Sequence, residues 1–106
     1  MNLNQRKHEQ TITLTAAELL ELIQTESVQL LDVRDPEEYS AGHIGCAINC
    51  PMDRIAAFDG PVDQHYLLIC KRGKRSKLAR EIMSSKGFKA NDIAGGMDAW
   101  DGLIVK

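Results

Sequence analysis

The sequence has few aromatic residues and no long hydrophobic run. Aromatic side chains make up 5% of the 106 residues, so a folded core has to be built mainly from aliphatic side chains. No apolar stretch approaches the roughly 20 residues that cross a bilayer, and the polar start of the sequence does not resemble a signal peptide. We therefore expect a cytoplasmic protein without a membrane partner.

Cysteine is also scarce, and its spacing excludes several classes of protein. The three cysteines, Cys46, Cys50 and Cys70, are an odd number without the spacing of a disulfide framework. This favours free thiols in a reducing compartment. A thioredoxin-like protein is disfavoured because the sequence has no Cys-x-x-Cys motif. His43, Cys46 and Cys50 lie close together but lack a fourth Cys or His nearby, so we expect no metal.

The remaining composition is that of an ordinary folded domain. Hydrophobic residues make up 43% and charged residues 26% of the chain, which are globular values. The length suits one domain with one core. We expect a tail over residues 1–10, a single domain over residues 11–106, and a monomer.

One short segment carries an excess of positive charge. Six of the 13 basic residues lie between Lys71 and Arg80, where there is no acid, so the rest of the chain has seven basic against 15 acidic residues. Overall acidity and few aromatics argue against a nucleic-acid partner. The segment instead indicates a local site for a small anion.

Two kinds of hydrophobic spacing alternate along the chain. Short β-leaning runs predict strands at 11–14, 28–33, 47–49, 66–70 and 91–94. Helical spacing predicts helices from Thr15 to about Gln24, from Asp35 to near Gly42, over 53–58, from about Ser76 to Lys86 and over 97–100. This alternation indicates an α/β fold with a largely parallel sheet. The run 66–70 is the most apolar and predicts the central strand.

Cap signals mark the ends of three of these helices. Thr15 with Glu18, and Asp35 with Glu38, have the spacing of a capping box. Gly87 stands where a left-handed residue would close the helix that ends near Lys86.

Cys70 occupies the position where open parallel sheets bind ligands, outside the carboxyl end of a strand. Residues 70–76 link the predicted central strand to a helix, and Gly73 permits a tight turn that points N–H groups inward. Lowering a thiol pKa from about 8.5 to about 6 requires roughly 3.4 kcal/mol, whereas a helix N-terminus supplies at most about 2 kcal/mol. We expect the remainder from loop N–H groups, the Ser76 hydroxyl and four cations: Lys71, Arg72, Lys74 and Arg75.

Several segments, taken in order, resemble the motifs of the rhodanese domain. They are Leu31 to Tyr39, Gly42-His43-Ile44, Ala47 to Asn49, Cys70 to Ser76 and Gly95 to Trp100, and the resemblance covers about residues 12–103. It implies a three-layer α/β fold, with a central, mostly parallel five-stranded sheet flanked by helices. It also implies a sulfurtransferase that needs no cofactor. In that reaction a cysteine takes a sulfane sulfur from thiosulfate or another persulfide and passes it to cyanide, a thiol or a partner protein.

The resemblance also assigns residues. Cys70 would be the nucleophile and persulfide carrier, and residues 71–75 the loop that binds a small anionic donor. Arg34 and Glu38 are expected to form an ion pair that braces the site, with Asp32 and His43 as supporting hydrogen-bonding groups. Cys50 is expected to replace a buried aliphatic residue. Cys46 is left as either an incidental or a resolving thiol.

Two other functions remain open for this sequence. A cysteine phosphatase or arsenate reductase also binds anions with a cysteine loop, but such phosphatases have five residues between Cys and Arg, whereas four separate Cys70 from Arg75. A binding module that keeps only the rhodanese fold is the second possibility. Such modules typically lose the cysteine, which this sequence retains.

Overall fold

The computed structural model describes residues 13–106, and the predicted tail over residues 1–10 lies outside this range. The strands are β1 (Thr13–Leu14), β2 (Gln29–Asp32), β3 (Ile48–Asn49), β4 (His65–Ile69) and β5 (Lys89–Ile93). The helices are α1 (Ala16–Thr25), α2 (Pro36–Ala41), α3 (Met52–Ile55), α4 (Lys74–Ser85) and α5 (Gly96–Ala99). Within residues 13–106 the five predicted strands and the five predicted helices are found, with shifts of a few residues at their ends; residues 11 and 12 of the first predicted strand lie outside the described range. No helix within residues 13–106 is both long and apolar enough to cross a membrane.

The five strands form one sheet in the order β1-β5-β4-β2-β3, and every pair of neighbours is parallel. The predicted central strand is confirmed, because β4 lies between β2 and β5. In this register Leu31 pairs with Leu68, and Tyr66 with Ala90. The carboxyl ends of β2 and β4 therefore reach the same edge of the sheet.

Successive residues of the central strands enter opposite sides of the sheet. Leu67 and Ile69 belong to one buried cluster, with Leu19 and Leu22 of α1. On the other side Tyr66, Leu68 and Cys70 pack with residues of α3 and α4: Ile55, Ala79 and Met83. Both sides of β4 are thus covered by helices, which explains its continuous apolar run and confirms the three-layer α/β arrangement.

Local signals determine how α1 and α2 begin. The N–H of Glu18 donates to Thr15 Oγ1 at 3.0 Å, and the N–H of Thr15 donates to Glu18 Oε1 at 2.9 Å, so the predicted capping box is confirmed. At the start of α2 the N–H of Asp35 donates to Glu38 Oε1 at 3.0 Å. This bond fixes the Glu38 carboxylate at the same edge of the sheet as Cys70.

Helix α4 begins two residues earlier than predicted. Gly73 is its N-cap, with a φ of +106°, and Lys74 is its first residue. Ser76 is therefore the third helical residue, whose N–H has no partner inside the helix. At the other end Gly87 has a φ of +95°, as predicted for the residue that follows the helix.

Candidate functional site

Cys70 immediately follows β4, so it lies at the carboxyl edge of the central strand. It is only 1% exposed. Together with four cations it lines a depression of about 330 Å³, which we call the Cys70 depression; the cations are Lys71, Arg72, Lys74 and Arg75. The structure thus brings the predicted cysteine and the predicted cations together at one place.

Hydrogen-bond donors converge on the sulfur of Cys70. The N–H of Gly73 donates to Sγ at 3.0 Å, and the N–H of Ser76 donates to it at 3.3 Å. The Ser76 Oγ lies 3.5 Å from Sγ and 3.3 Å from the carbonyl oxygen of Gly73. Rotation of one hydroxyl therefore lets Ser76 accept from a thiol or donate to a thiolate.

These donors outweigh the effect of burial on the thiol. Burial raises the pKa of Cys70, whereas the Ser76 hydroxyl and the N–H groups of Ser76, Gly73 and Arg72 lower it, and the net result is a lowered pKa. Burial raises the pKa values of Cys46 and Cys50. Cys70 is therefore the thiol whose environment favours the nucleophilic thiolate.

The positive φ of Gly73 makes this arrangement possible. A side chain would be strained at φ +106°, and a Cβ there would lie 3.3 Å from the backbone nitrogen of Gly95. Glycine lets the chain turn directly from β4 into α4 while two N–H groups face the same sulfur. The predicted role of Gly73 in the turn is confirmed.

The ion pair predicted between Arg34 and Glu38 is wrong. Arg34 instead pairs with Asp32, through Nε at 2.9 Å and Nη2 at 2.7 Å, and its Nη2 also donates to the carbonyl of Gly42 at 2.8 Å. Asp32 ends β2 and is fully buried. A carboxylate buried as deeply as that of Asp32 is costly to desolvate unless a nearby cation donates several hydrogen bonds to it. Arg34 supplies these hydrogen bonds.

Glu38 pairs instead with Arg75 of α4. The guanidinium donates from Nη1 at 2.7 Å and from Nη2 at 3.1 Å to the two carboxylate oxygens. These bonds, opposed by partial burial and aided by the Asp35 N–H, lower the pKa of Glu38 to about 2. Arg75 thus lines the depression but is held by a carboxylate, whereas the sequence had suggested a cation available to a donor.

His43 was predicted as a supporting group for the site. In the described part of the chain its Nδ1 is 2.7 Å from the carbonyl oxygen of Tyr39, and its ring stacks on Tyr39 with a centroid distance of 3.7 Å. Its backbone pairs with Val105. These contacts connect His43 to α2 and the C-terminal segment, which leaves a role at Cys70 as a prediction.

The start of α5 was missed as part of the site. The N–H groups of Met97 and Asp98 donate to the carbonyl oxygens of Cys70 and Lys71, at 2.7 and 2.9 Å. The Asp98 carboxylate lies 3.0 Å from Lys71 Nζ and 3.6 Å from Arg72 Nε. The pair of glycines before Met97 was the available signal, because adjacent glycines often mark a close approach of two backbones.

The other two cysteines lie in different surroundings. Cys46 is exposed beside an apolar cavity of about 450 Å³. Cys50 is half-buried and packs against the cluster that contains Cys70, and its role as a substitute for a buried aliphatic residue stays a prediction. Within residues 13–106 no group of three or more His, Cys, Asp or Glu side chains is placed to hold a metal ion.

Comparison with known proteins agrees with this site. The model of the rhodanese-like domain family matches residues 15–103. The chain is 33% identical over 91 residues to the thiosulfate sulfurtransferase GlpE of Pseudoalteromonas translucida, covering 83% of this chain and 87% of that protein. It is 30% identical over 90 residues to the GlpE of Shewanella oneidensis, covering 82% and 89%. A crystal structure of a rhodanese-related protein from Thermoplasma volcanium, 32% identical, superposes with a TM-score of 0.77 over 88% of this chain and 96% of that one.

Proposed function

The chain belongs to the rhodanese-like domain family, whose relatives include named sulfurtransferases, and we propose that it transfers sulfane sulfur as a persulfide on Cys70. The observation that carries this proposal is the convergence of the Gly73 and Ser76 N–H groups on Sγ, at 3.0 and 3.3 Å. Donors fixed in this way favour a negatively charged sulfur before any substrate arrives. Thiosulfate is the donor named for the two GlpE relatives, and we propose it as a donor here.

In the first half-reaction the Cys70 thiolate attacks the outer sulfur of thiosulfate. A bond forms between Sγ and that sulfur, the sulfur–sulfur bond of thiosulfate breaks, and sulfite leaves with the bonding electron pair. The product is a Cys70 persulfide anion. The charges balance without an added oxidant or reductant, since one anion and one dianion give one anion and one dianion.

In the second half-reaction a nucleophile attacks the outer sulfur of the persulfide. Cyanide would become thiocyanate, and a thiolate would become a persulfide. In either case the bond to Sγ breaks and Cys70 keeps the electron pair as a thiolate. The same N–H groups stabilise Cys70 as attacking group and as leaving group.

The phosphatase alternative receives less support from the site. A phosphoryl group has several charged oxygens, and a cysteine phosphatase loop needs donors around all of them. Here both terminal guanidinium nitrogens of Arg75 donate to Glu38. The short loop suits the single outer sulfur of a persulfide better than a tetrahedral phosphate.

Mass spectrometry of the intact protein tests the proposal. After exposure to thiosulfate the wild type should gain the mass of one sulfur atom, and cyanide should remove it with formation of thiocyanate. The variant Cys70→Ser should gain none. Cys46→Ser and Cys50→Ser are matched controls that remove the other free thiols and should keep most of the transfer.

Two results would contradict this assignment. Peptide mapping that places the added sulfur on Cys46 or Cys50 would show that the site is wrong. A wild type that gains no sulfur from thiosulfate or from a low-molecular-weight persulfide would favour the binding module instead.

A further inference from the structure

The cations of the Cys70 depression are not equivalent. Arg75 is paired with Glu38 at 2.7 Å. Lys71 and Arg72 share the carboxylate of Asp98, at 3.0 and 3.6 Å. Lys74 differs from these three cations. Within the described part of the chain, its ammonium group has neither a carboxylate partner nor a hydrogen bond.

The position of Asp98 is fixed by its backbone as well as its side chain. Its own N–H donates to the carbonyl oxygen of Lys71 at 2.9 Å, and the preceding N–H, of Met97, donates to the carbonyl oxygen of Cys70 at 2.7 Å. The backbone of Asp98 is thus tied to the residues beside the sulfur. The Cα of Asp98 is therefore held within reach of Lys71 and Arg72, although the ion pairs themselves are exposed.

We propose that Asp98 sets the donor specificity of the Cys70 depression, by engaging Lys71 and Arg72 so that Lys74 is the cation that attracts the anionic donor. This inference rests on the proposed sulfur transfer. Asp98 is a positioning residue in it, because it acts through the two cations and touches neither the donor nor the sulfur.

The charge balance indicates which class of donor fits. Four cations and two carboxylates give the group a net charge of +2. The Cys70 thiolate reduces this local charge by one, and the remaining positive charge attracts an anionic donor such as thiosulfate. Without Asp98 the net charge would be +3, and the preference for anions over neutral reagents would increase.

Two alkylating reagents of similar size measure the preference for anions directly at Cys70. Iodoacetate is an anion and iodoacetamide is neutral, so the ratio of their rates reports the local charge and does not depend on sulfur transfer. In Asp98→Asn this ratio should rise about two- to fivefold at low salt, since exposed ion pairs and exposed charges act weakly. The rise should disappear near 1 M salt, where the screening length is about 3 Å.

Three further variants separate the proposed role from a general effect. Asp98→Glu retains the carboxylate and should keep the wild-type ratio. Asp63→Asn removes the same charge from the loop before β4, at the opposite end of the strand from Cys70, and should leave the ratio unchanged. Lys74→Met should lower the ratio and raise KM for thiosulfate.

A double-mutant background shows whether Asp98 acts through its partners. In Lys71→Met/Arg72→Met, adding Asp98→Asn should raise the alkylation ratio less than it does in the wild-type background, because only the charge of Asp98 is then removed and no paired cation is released. With thiosulfate as donor, Asp98→Asn alone should lower KM two- to fivefold while kcat stays within about twofold. A role in folding alone would lower kcat and change the iodoacetamide rate as well.

The outcomes distinguish the two proposals. An unchanged ratio in Asp98→Asn, or a rise that is equally large in the double background, overturns the specificity role whether or not the wild type transfers sulfur. If the ratio responds as expected but no persulfide forms on Cys70, the proposed function fails, and the preference of the depression for anions stands by itself.

Discussion

Gly96→Ala should be far more damaging than the same change at Gly87, although both glycines have a positive φ. At Gly96 the φ is +56°, and an added Cβ would lie 2.3 Å from the carbonyl oxygen of Cys70 and 2.7 Å from that of Lys71. At Gly87 the φ is +95° and nothing lies within 4 Å of the added atom. The two positions therefore share backbone strain and differ in the close approach.

The magnitudes follow from that difference. A left-handed alanine costs roughly 1–2 kcal/mol at either position. At Gly96 the two segments must also separate by about 1 Å, which stretches the 2.7 Å bond from the Met97 N–H to the Cys70 carbonyl beyond hydrogen-bond range. Overpacking costs about 1–3 kcal/mol and the lost bond about 1 kcal/mol. We expect Gly96→Ala to lower the free energy of unfolding by about 2–4 kcal/mol more than Gly87→Ala does.

Denaturant unfolding measures this difference, with Trp100 as the probe. It is the single tryptophan of the chain and is 8% exposed, so its emission should shift on unfolding. Far-ultraviolet circular dichroism checks the transition away from α5. The Cys70 alkylation rate should also fall in Gly96→Ala and not in Gly87→Ala. Equal destabilisation by the two substitutions would refute the argument from close approach.

Three further changes test the hydrogen bonds and the loop. Ser76→Ala removes a hydroxyl that lowers the pKa of Cys70, so the alkylation rate should reach half its maximum at a higher pH than in the wild type; an unchanged profile would contradict this. Glu38→Gln should lower the free energy of unfolding by about 0.5–1 kcal/mol near pH 7, and the effect should be this small because the ion pair with Arg75 is partly exposed. The pKa of Glu38 is about 2 in the folded protein and near 4.3 in the unfolded chain, so this stabilisation is present above about pH 4 and is lost as the pH falls toward 2. Urea unfolding of variant and wild type near pH 7 and near pH 2 measures the loss. A difference in stability that persists near pH 2 would contradict the prediction. Insertion of one residue after Gly73 should reduce sulfur transfer at least about 100-fold, because it displaces N–H donors from the sulfur of Cys70. The wild type should not hydrolyse aryl phosphates. Efficient Cys70-dependent hydrolysis would support the phosphatase alternative.

Signals that lie within a few residues predicted the fold well. Thr15 and Glu18 form the capping box that their spacing indicates, and Gly73 and Gly87 have the positive φ values expected of a turn and a helix end. Such features depend on the backbone of one segment, so the sequence specifies them locally. The continuous apolar run of β4 was equally informative, because only a strand covered on both sides needs it.

Partner choice between distant segments was harder to predict. Glu38 has Arg34 four residues before it, yet it pairs with Arg75, 37 residues later. Asp32 and Arg34 project from the same edge of the sheet and satisfy each other, which leaves Glu38 for α4. The sequence shows which charges are present near the site, but the placement of α2 and α4 at the same edge of the sheet decides which of them meet.

The contacts of α5 were missed for the same reason. The bonds from Met97 and Asp98 to residues 70 and 71 join segments 27 residues apart, and no periodicity or cap signal records them. Gly96, which precedes Met97, is the sequence feature that indicates such a close approach of two backbones. Its meaning becomes clear only when the second backbone is known.

The order of the strands has a consequence for how the chain folds. Strand β1 pairs with β5, so that Thr13 contacts Asp92, 79 residues later. Closing so long a loop costs entropy before the contact contributes any stability, and a sheet without hairpins offers no local pair from which to start. The β2-β4-β5 core can form first, with β1 as the last strand to join. In hydrogen exchange, the amides of β1 should accordingly open more often than those of β4.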